Sequence, residues 1–336
     1  MVLSRYPGDC RSHDAQFLGA AGGFSGARFW RIVAPRGDLC LRRWPAEHPA
    51  VSRLIEIHHV LQRVYRQGFR VIPVPVRTLD GATFVKQAGH LHELTPWLAG
   101  EANFDAHPTD NRLRAAMVAT ARFHVSAATV AGVEPKTGFS PGVIERRRQV
   151  IALRSGGLHR ISAAIAPAAV SSEIASDLEP LAREILFLVS TLISKVEAEL
   201  RACETIPLTL QPSIRDLRGE HILFEGDRVT GIVDFGSMRV ESPVGDVARL
   251  LGSLVGDDSP RRQTGLEAYE SVRSLGDRER KVLPAFDHSE VLLSAINWLD
   301  WLYRQGRQFD TWQAVLSRIR CLTARLRNLA EQGDIT

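Results

Sequence analysis

Residues 214–236 constrain this chain more than any other segment. A loop, Ile214-Arg215-Asp216-Leu217-Arg218-Gly219-Glu220-His221, runs into the apolar stretch Ile222-Leu223-Phe224. The turn Glu225-Gly226-Asp227 follows, then a second apolar stretch at 229–233, then Asp234-Phe235-Gly236. Two apolar runs joined by such a turn predict a hairpin. That hairpin would bring Asp216 and Asp234, 18 positions apart, to one end. Phosphoryl transfer asks for this pair: one carboxylate orients the attacking hydroxyl, and another holds a divalent cation on the phosphates. A single turn acid would read as an ordinary surface hairpin. Two acids at this spacing, with Asp-Phe-Gly, do not.

The flanking patterns set the fold class. Before residue 98 the chain reads as strands with one helix. Gly22, Gly23 and Gly26 make a loose entry to a strand that ends near Val33, and a strand at 38–44 follows the turn Pro35-Arg36-Gly37-Asp38. Helical spacing over 51–66 puts Leu54, Ile57, His58, Leu61, Val64 and Tyr65 on one stripe, with Gly68 as the stop. Stretches 74–78 and 83–87 flank Asp80-Gly81 and predict a hairpin; 90–97 is extended. Beyond residue 98 the periodicity is helical over 111–130, within 170–201, and over 247–254, 265–274, 278–304 and 309–330. Pro180 suits a first helical turn, and Pro284 predicts a kink. These patterns predict an α+β protein: a small antiparallel-sheet part at 1–97 and a larger helical part at 98–336.

Composition excludes several function classes. With 44% hydrophobic and 24% charged residues the chain reads as an ordinary globular protein. No apolar run approaches the about 18 residues of a membrane span, and residues 1–14 lack a secretory signal's apolar stretch, so a cytoplasmic protein is expected. Cys10, Cys40, Cys203 and Cys321 are far apart, which predicts neither a disulfide framework nor a zinc site. The net charge of +4 is too small and too dispersed to predict nucleic-acid binding.

The segment 214–236 resembles the aminoglycoside phosphotransferase and choline kinase-like family, itself akin to protein kinases. That family reads His-Gly-Asp-x-x-x-x-Asn, an apolar strand, then an aspartate in an Ile-Asp-Phe/Trp-like segment. The resemblance implies a two-lobed, protein-kinase-like fold, Asp216 as catalytic base and Asp234 as metal ligand. Arg215 before Asp216 resembles the His-Arg-Asp of protein kinases. Two positions depart: Ile214 stands for the family histidine, and His221 for the asparagine that is a second Mg²⁺ ligand. His221 has three readings: metal ligand, phosphate contact or loop packing. Imidazole favours softer ions than Mg²⁺.

Other stretches extend the resemblance from about residue 17 to about residue 309. Gly245-Asp246 resembles the family's Gly-Asp after the metal aspartate, so Asp246 is expected to brace the catalytic loop, cap a helix, or both. Arg122-Phe123-His124 resembles a helix end beneath that loop, with His124 structural. Residues 19–26 resemble a glycine-rich loop over nucleotide phosphates, with Gly22, Gly23, Ser25 and Gly26 in contact. In Leu39-Cys40-Leu41-Arg42, alternation puts Cys40 and Arg42 on one face. Arg42 then stands where kinases carry a phosphate-binding lysine; the chain's only lysines are Lys86, Lys136, Lys195 and Lys281. Glu56 on the helix is its expected partner, or else His58 faces the cleft. Glu93, Thr95 and Trp97 resemble the hinge whose backbone binds adenine, with Trp97 as wall or core residue.

The resemblance implies an ATP-dependent phosphotransferase that uses Mg²⁺ and acts on a small-molecule hydroxyl, with no nucleic-acid or membrane partner. The alternative, drawn from the altered motif positions, is a nucleotide-binding pseudokinase acting as a regulator or scaffold.

Overall fold

A computed structural model describes residues 2–12, 14–19, 26–130, 135–165, 172–309 and 311–332. The chain forms two compact units. The first takes residues 1–135, 211–240 and 263–274, and the second takes 136–210, 241–262 and 275–336. Residues 98–135 and the hairpin of 222–232 thus cluster with the sheet.

The first unit is built on an antiparallel sheet of five strands: β1 (Ala15–Gly19), β2 (Arg28–Ala34), β3 (Gly37–Arg43), β4 (Val85–Gln87) and β5 (His90–Pro96). Their spatial order is β1-β2-β3-β5-β4. Strand alternation sends Leu39 and Leu41 into a core with Tyr6, Ile32, Val76 and Leu94. Helix α1 (Val51–Arg66) buries Leu54, Ile57, Val60, Leu61 and Val64 along one stripe. Helix α2 (Asp110–Ala128) starts where the Thr109 hydroxyl accepts the Arg112 backbone N–H at 3.2 Å.

The expected hairpin around Asp80-Gly81 is corrected by the structure. Thr78 N–H does donate to the Ala82 carbonyl at 2.8 Å, closing a turn. Beyond it, however, Val76 N–H turns to the Leu94 carbonyl, and β4 pairs with β5 rather than with residues 74–78. The turn chemistry was local; the pairing went to the strand that offered a full ladder.

The second unit is mostly helical, with α3 (Pro141–Ala152), α4 (Leu158–Ala164), α5 (Ser172–Cys203), α8 (Asp277–Leu299) and α9 (Trp312–Glu331). Helices α5, α8 and α9 pack on one another, and α3 packs on α5. Strand β6 (Lys136–Phe139) pairs with the first half of β7 (Pro207–Ser213). The chain passes between the units within β7 and within β10 (Arg239–Glu241). Helices α6 (Val244–Val255) and α7 (Ser259–Glu270) complete the order.

Pro180 lies inside its helix rather than in the first turn expected of it, and Pro284 does not break α8. Pro180 is well past the start of α5, and Pro284 sits within α8, flanked by buried Val282, Ala285 and Phe286. Packing on these faces outweighs the lost N–H bond.

Candidate active site

Every side chain of the site's polar centre lies in the first unit. The strands β8 (Ile222–Glu225) and β9 (Arg228–Ile232) form the expected hairpin, with Ile222 opposite Ile232. The loop before β8 is anchored by Ile214 and Leu217, both fully buried, which leaves Arg215 and Asp216 half-exposed between them and Arg218 half-exposed after them. The apolar Ile214 thus pins the loop. Beyond β9, Val233 N–H donates to the His221 carbonyl at 2.9 Å. Phe235 is then buried against Phe123 of α2, ring centroids 5.4 Å apart. Asp234 is released on the opposite side.

Arg215 and Asp234 have φ angles of 69° and 60°. Non-glycine residues rarely occupy this left-handed region, and such strain concentrates at functional sites. Among the described residues the third such residue, Ala88, lies in the turn between β4 and β5; the other two fall beside and at the two aspartates singled out in the sequence.

Arg42 on β3 meets Asp234 directly: Nη1 and Nη2 each lie 3.2 Å from Oδ1. The guanidinium stacks 3.4 Å from the Trp44 ring centre and also faces Phe29. Its side chain is 11% exposed, while that of Asp234 is 38% exposed. Gly236 allows this arrangement, because a Cβ there would come within 3.0 Å of the Trp44 ring. Burial pushes the Asp234 carboxyl up, but Arg42, then His221 and the Gly236 N–H, more than offset it. The net effect holds Asp234 below the ordinary carboxylate range.

His221 joins the two aspartate segments. Its Nδ1 donates to the Asp216 carbonyl at 2.8 Å, and its Nε2 lies 3.9 Å from Asp234 Oδ2. The Asp216 carboxylate accepts from Arg218 Nε at 3.1 Å.

A cavity of about 480 Å³ opens over this centre, within the ~300–1,000 Å³ of small-molecule sites. Arg42, His221 and Asp234 line its polar side; Leu61, Leu98 and Leu223 are among its apolar walls. From β5 come Glu93 and Thr95, both buried, followed by Trp97, which Arg31 covers at 5.0 Å. Cys40 lines it too; burial, then the Glu93 carboxylate, push its thiol up to about 12, which leaves it unreactive.

The pairing of Glu56 with Arg42 is corrected. Glu56 is 64% exposed and binds Arg53, three residues away on the same outer face of α1. The face of α1 turned inward presents His58, whose Nε2 lies 2.6 Å from Glu93 Oε2 and whose Nδ1 lies 2.7 Å from the Thr83 hydroxyl. Glu93 is the register partner of Arg42 across β3 and β5. The buried acid near Arg42 therefore comes from a strand.

His124 is fully buried on α2, with Nδ1 2.8 Å from the Tyr269 hydroxyl. Its carbonyl accepts the Gln211 amide at 2.6 Å, just before the Asp216 loop. In the second unit, Asp246 is buried in the first turn of α6, inside the helix rather than at its cap. Gly26 has φ +76°, which glycine alone adopts freely. Gly22, Gly23 and Ser25 lie outside the described residues.

Sequence reasoning missed Trp44 and the role of Glu93 as partner of His58. The signal for Trp44 was present: it shares strand parity with Cys40 and Arg42.

The centre suits a phosphorylated nucleotide with a divalent cation. Arg42 Nε and Trp44 Nε1 are buried with no hydrogen-bond partner, on the wall that would face an anion. Among the described residues no group of three or more His, Cys, Asp or Glu could hold a metal by itself. One carboxylate supplemented by phosphate oxygens is the usual way a protein holds Mg²⁺. Among the described residues no helix is long and apolar enough to cross a membrane.

Comparison with known proteins agrees with this geometry. The model of the phosphotransferase enzyme family, APH, matches residues 16–283. A search of curated proteins by sequence finds no match. Among solved structures, the spectinomycin phosphotransferase APH(9)-Ia in complex with ADP and spectinomycin is similar at 13% identity and TM-score 0.68, covering 95% of this chain and 94% of its own. The amicoumacin kinase hAmiN, with AMP-PNP, Ca²⁺ and its substrate, is 11% identical at TM-score 0.65, covering 98% and 91%. An aminoglycoside phosphotransferase from Alicyclobacillus acidocaldarius is 17% identical at TM-score 0.55, covering 98% and 96%. These likenesses share the α+β, kinase-like fold, and with the family match over 16–283 the chain belongs to the phosphotransferase enzyme family.

Proposed function

We propose that this chain transfers the γ-phosphoryl group of ATP to a hydroxyl of a small molecule. The observation that carries the reading is the contact of Arg42 with Asp234 beneath the cavity, with His221 reaching from Asp234 to the Asp216 loop. In this reading residues 1–97 act as the nucleotide lobe and 98–336 as the acceptor lobe.

Arg42 neutralises phosphate charge; its flat guanidinium is fixed by Trp44 before the anion arrives. Glu93, Thr95 and Trp97 form the wall for the adenine, and Gly22, Gly23, Ser25 and Gly26 contribute backbone N–H groups to the phosphates. Asp234 would hold the divalent cation, which would supply charge neutralisation on the phosphates. Asp216, fixed by Arg218, orients the acceptor hydroxyl and takes its proton as the oxygen attacks. Arg215 holds the loop in its strained form. His124 braces that loop through Gln211.

The acceptor belongs with the small hydroxylated compounds on which the similar proteins act, spectinomycin, amicoumacin and glucosamine among them. The reaction is assigned to the cytoplasm, where ATP is supplied. ADP release is measured with these compounds, aminoglycosides and choline as acceptors. At least one should turn over, and Asp216→Asn should slow it by roughly 10²–10⁴-fold with nucleotide affinity retained. Turnover undiminished in Asp216→Asn would refute the assignment.

A further inference from the structure

We propose that His221 is a direct metal ligand, and that the site consequently takes a divalent first-row transition ion in preference to Mg²⁺. The inference rests on the phosphotransfer reading of the same site.

The tautomer is fixed by the fold. A carbonyl oxygen only accepts, so Nδ1, 2.8 Å from the Asp216 carbonyl, must carry the proton. In the neutral ring Nε2 then carries the lone pair. Metal-binding histidines are oriented in this way, by a carbonyl on the far ring nitrogen.

Nε2 is also aimed at the right place. It lies 3.9 Å from Asp234 Oδ2, beyond hydrogen-bond distance. Two ligands about 2.1 Å from one cation lie no more than about 4.2 Å apart. The observed gap falls inside that limit, so one ion fits between the two atoms. The His221 side chain is 14% exposed and lines the cavity with Asp234. Its ring is therefore largely shielded from bulk water.

The donor set decides the ion. Carboxylate and phosphate oxygens suit Mg²⁺ and Mn²⁺, but imidazole nitrogen suits Fe²⁺, Ni²⁺, Cu²⁺ and Zn²⁺. One nitrogen ligand biases the whole set toward them. Arg42 occupies only Oδ1 of Asp234, which leaves Oδ2, the oxygen nearer His221, for the metal.

The test uses the full-length protein labelled with ¹⁵N-histidine, loaded with Mn²⁺ and β,γ-methylene-ATP, and read by electron spin-echo spectroscopy. The expected spectrum shows both ³¹P coupling from the nucleotide and ¹⁵N coupling from one imidazole. His221→Asn should remove the ¹⁵N coupling, whereas His48→Gln, which changes another imidazole near Asp234, should keep it. In a parallel titration, His221→Asn should lower the Ni²⁺-over-Mg²⁺ affinity ratio by about tenfold or more. Phosphorus coupling without nitrogen coupling in the unaltered protein overturns the inference and leaves the phosphotransfer reading standing. Loss of the nitrogen signal in His48→Gln also overturns it. Absence of both couplings overturns the inference and the phosphotransfer reading together.

Discussion

Replacing Arg42 by methionine is the sharpest test of how this cavity handles phosphate. Methionine keeps an unbranched stem that lies on Trp44 but removes the charge. The guanidinium places both terminal nitrogens 3.2 Å from one oxygen of Asp234, in a pocket where its side chain is only 11% exposed. In so dry a place, hydrogen bonds from a charged donor contribute about 1.5–3 kcal/mol. If Arg42 makes such bonds to ATP, their loss weakens binding by roughly 10- to 150-fold, at 1.4 kcal/mol per factor of ten. The cost to folding is smaller. Asp234 loses its nearest cation, but its side chain is 38% exposed and solvent screens it, so the penalty stays below about 1 kcal/mol. Calorimetric titration with ATP, and with adenosine as the phosphate-free control, measures both ends of the ligand. ATP affinity should fall while adenosine affinity is unchanged. An unaltered ATP affinity, or an equal loss for adenosine, refutes a phosphate role for Arg42.

Four further outcomes are expected. Glu56→Ala should change stability by no more than about 0.5 kcal/mol and leave nucleotide binding intact, since Glu56 is an outer-face residue; urea unfolding checks this. His58→Ala, by contrast, strands the buried Glu93 carboxylate and should cost about 3–5 kcal/mol in the same measurement. Gly236→Ala drives a methyl group to 3.0 Å from Trp44 and should cost about 1–3 kcal/mol, with weaker ATP binding as Trp44 and Arg42 shift. For pH, the folded Asp234 carboxyl sits below its unfolded value of about 3.9. Its contribution to stability is therefore complete well above that value and is lost as pH falls below it; Asp234→Asn should flatten this acid limb in thermal melts.

Much of the site was legible because it is written in short-range patterns. The parity of β3 separated Cys40 and Arg42 from Leu39 and Leu41, and the structure keeps that division between cavity and core. The limits of α1 and the hairpin carrying Asp234 followed from period and turn chemistry. What stayed hidden was partnership at long range. Helical spacing already put His58 on the inner stripe and left Glu56 off it. Nothing local, however, announced that the matching acid would arrive from Glu93, 35 positions later. Residues 74–78 misled for the same reason: a good turn fixes where the chain reverses, and the competition for backbone partners is decided by β5. Strand β6 finds its partner β7 far along the chain, Lys136 opposite Leu210, a pairing no local pattern announces.

Gly100 carries one more consequence. Any side chain there would strike the Thr230 hydroxyl at 2.3 Å and the Phe224 carbonyl at 2.8 Å. Next to it, Glu101 exchanges both backbone bonds with Phe224, and the Thr230 hydroxyl donates to the Ala99 carbonyl at 2.6 Å. The segment leaving β5 is thus riveted to the hairpin that delivers Asp234. In the proposed reading, the Thr95–Trp97 wall and the Asp234 carboxylate are two jaws that measure a ligand, like a calliper held at one setting. Such a gauge sorts its guests by length: a molecule too short to touch both ends gains nothing from the far one, and no flexing of that joint can make up the difference.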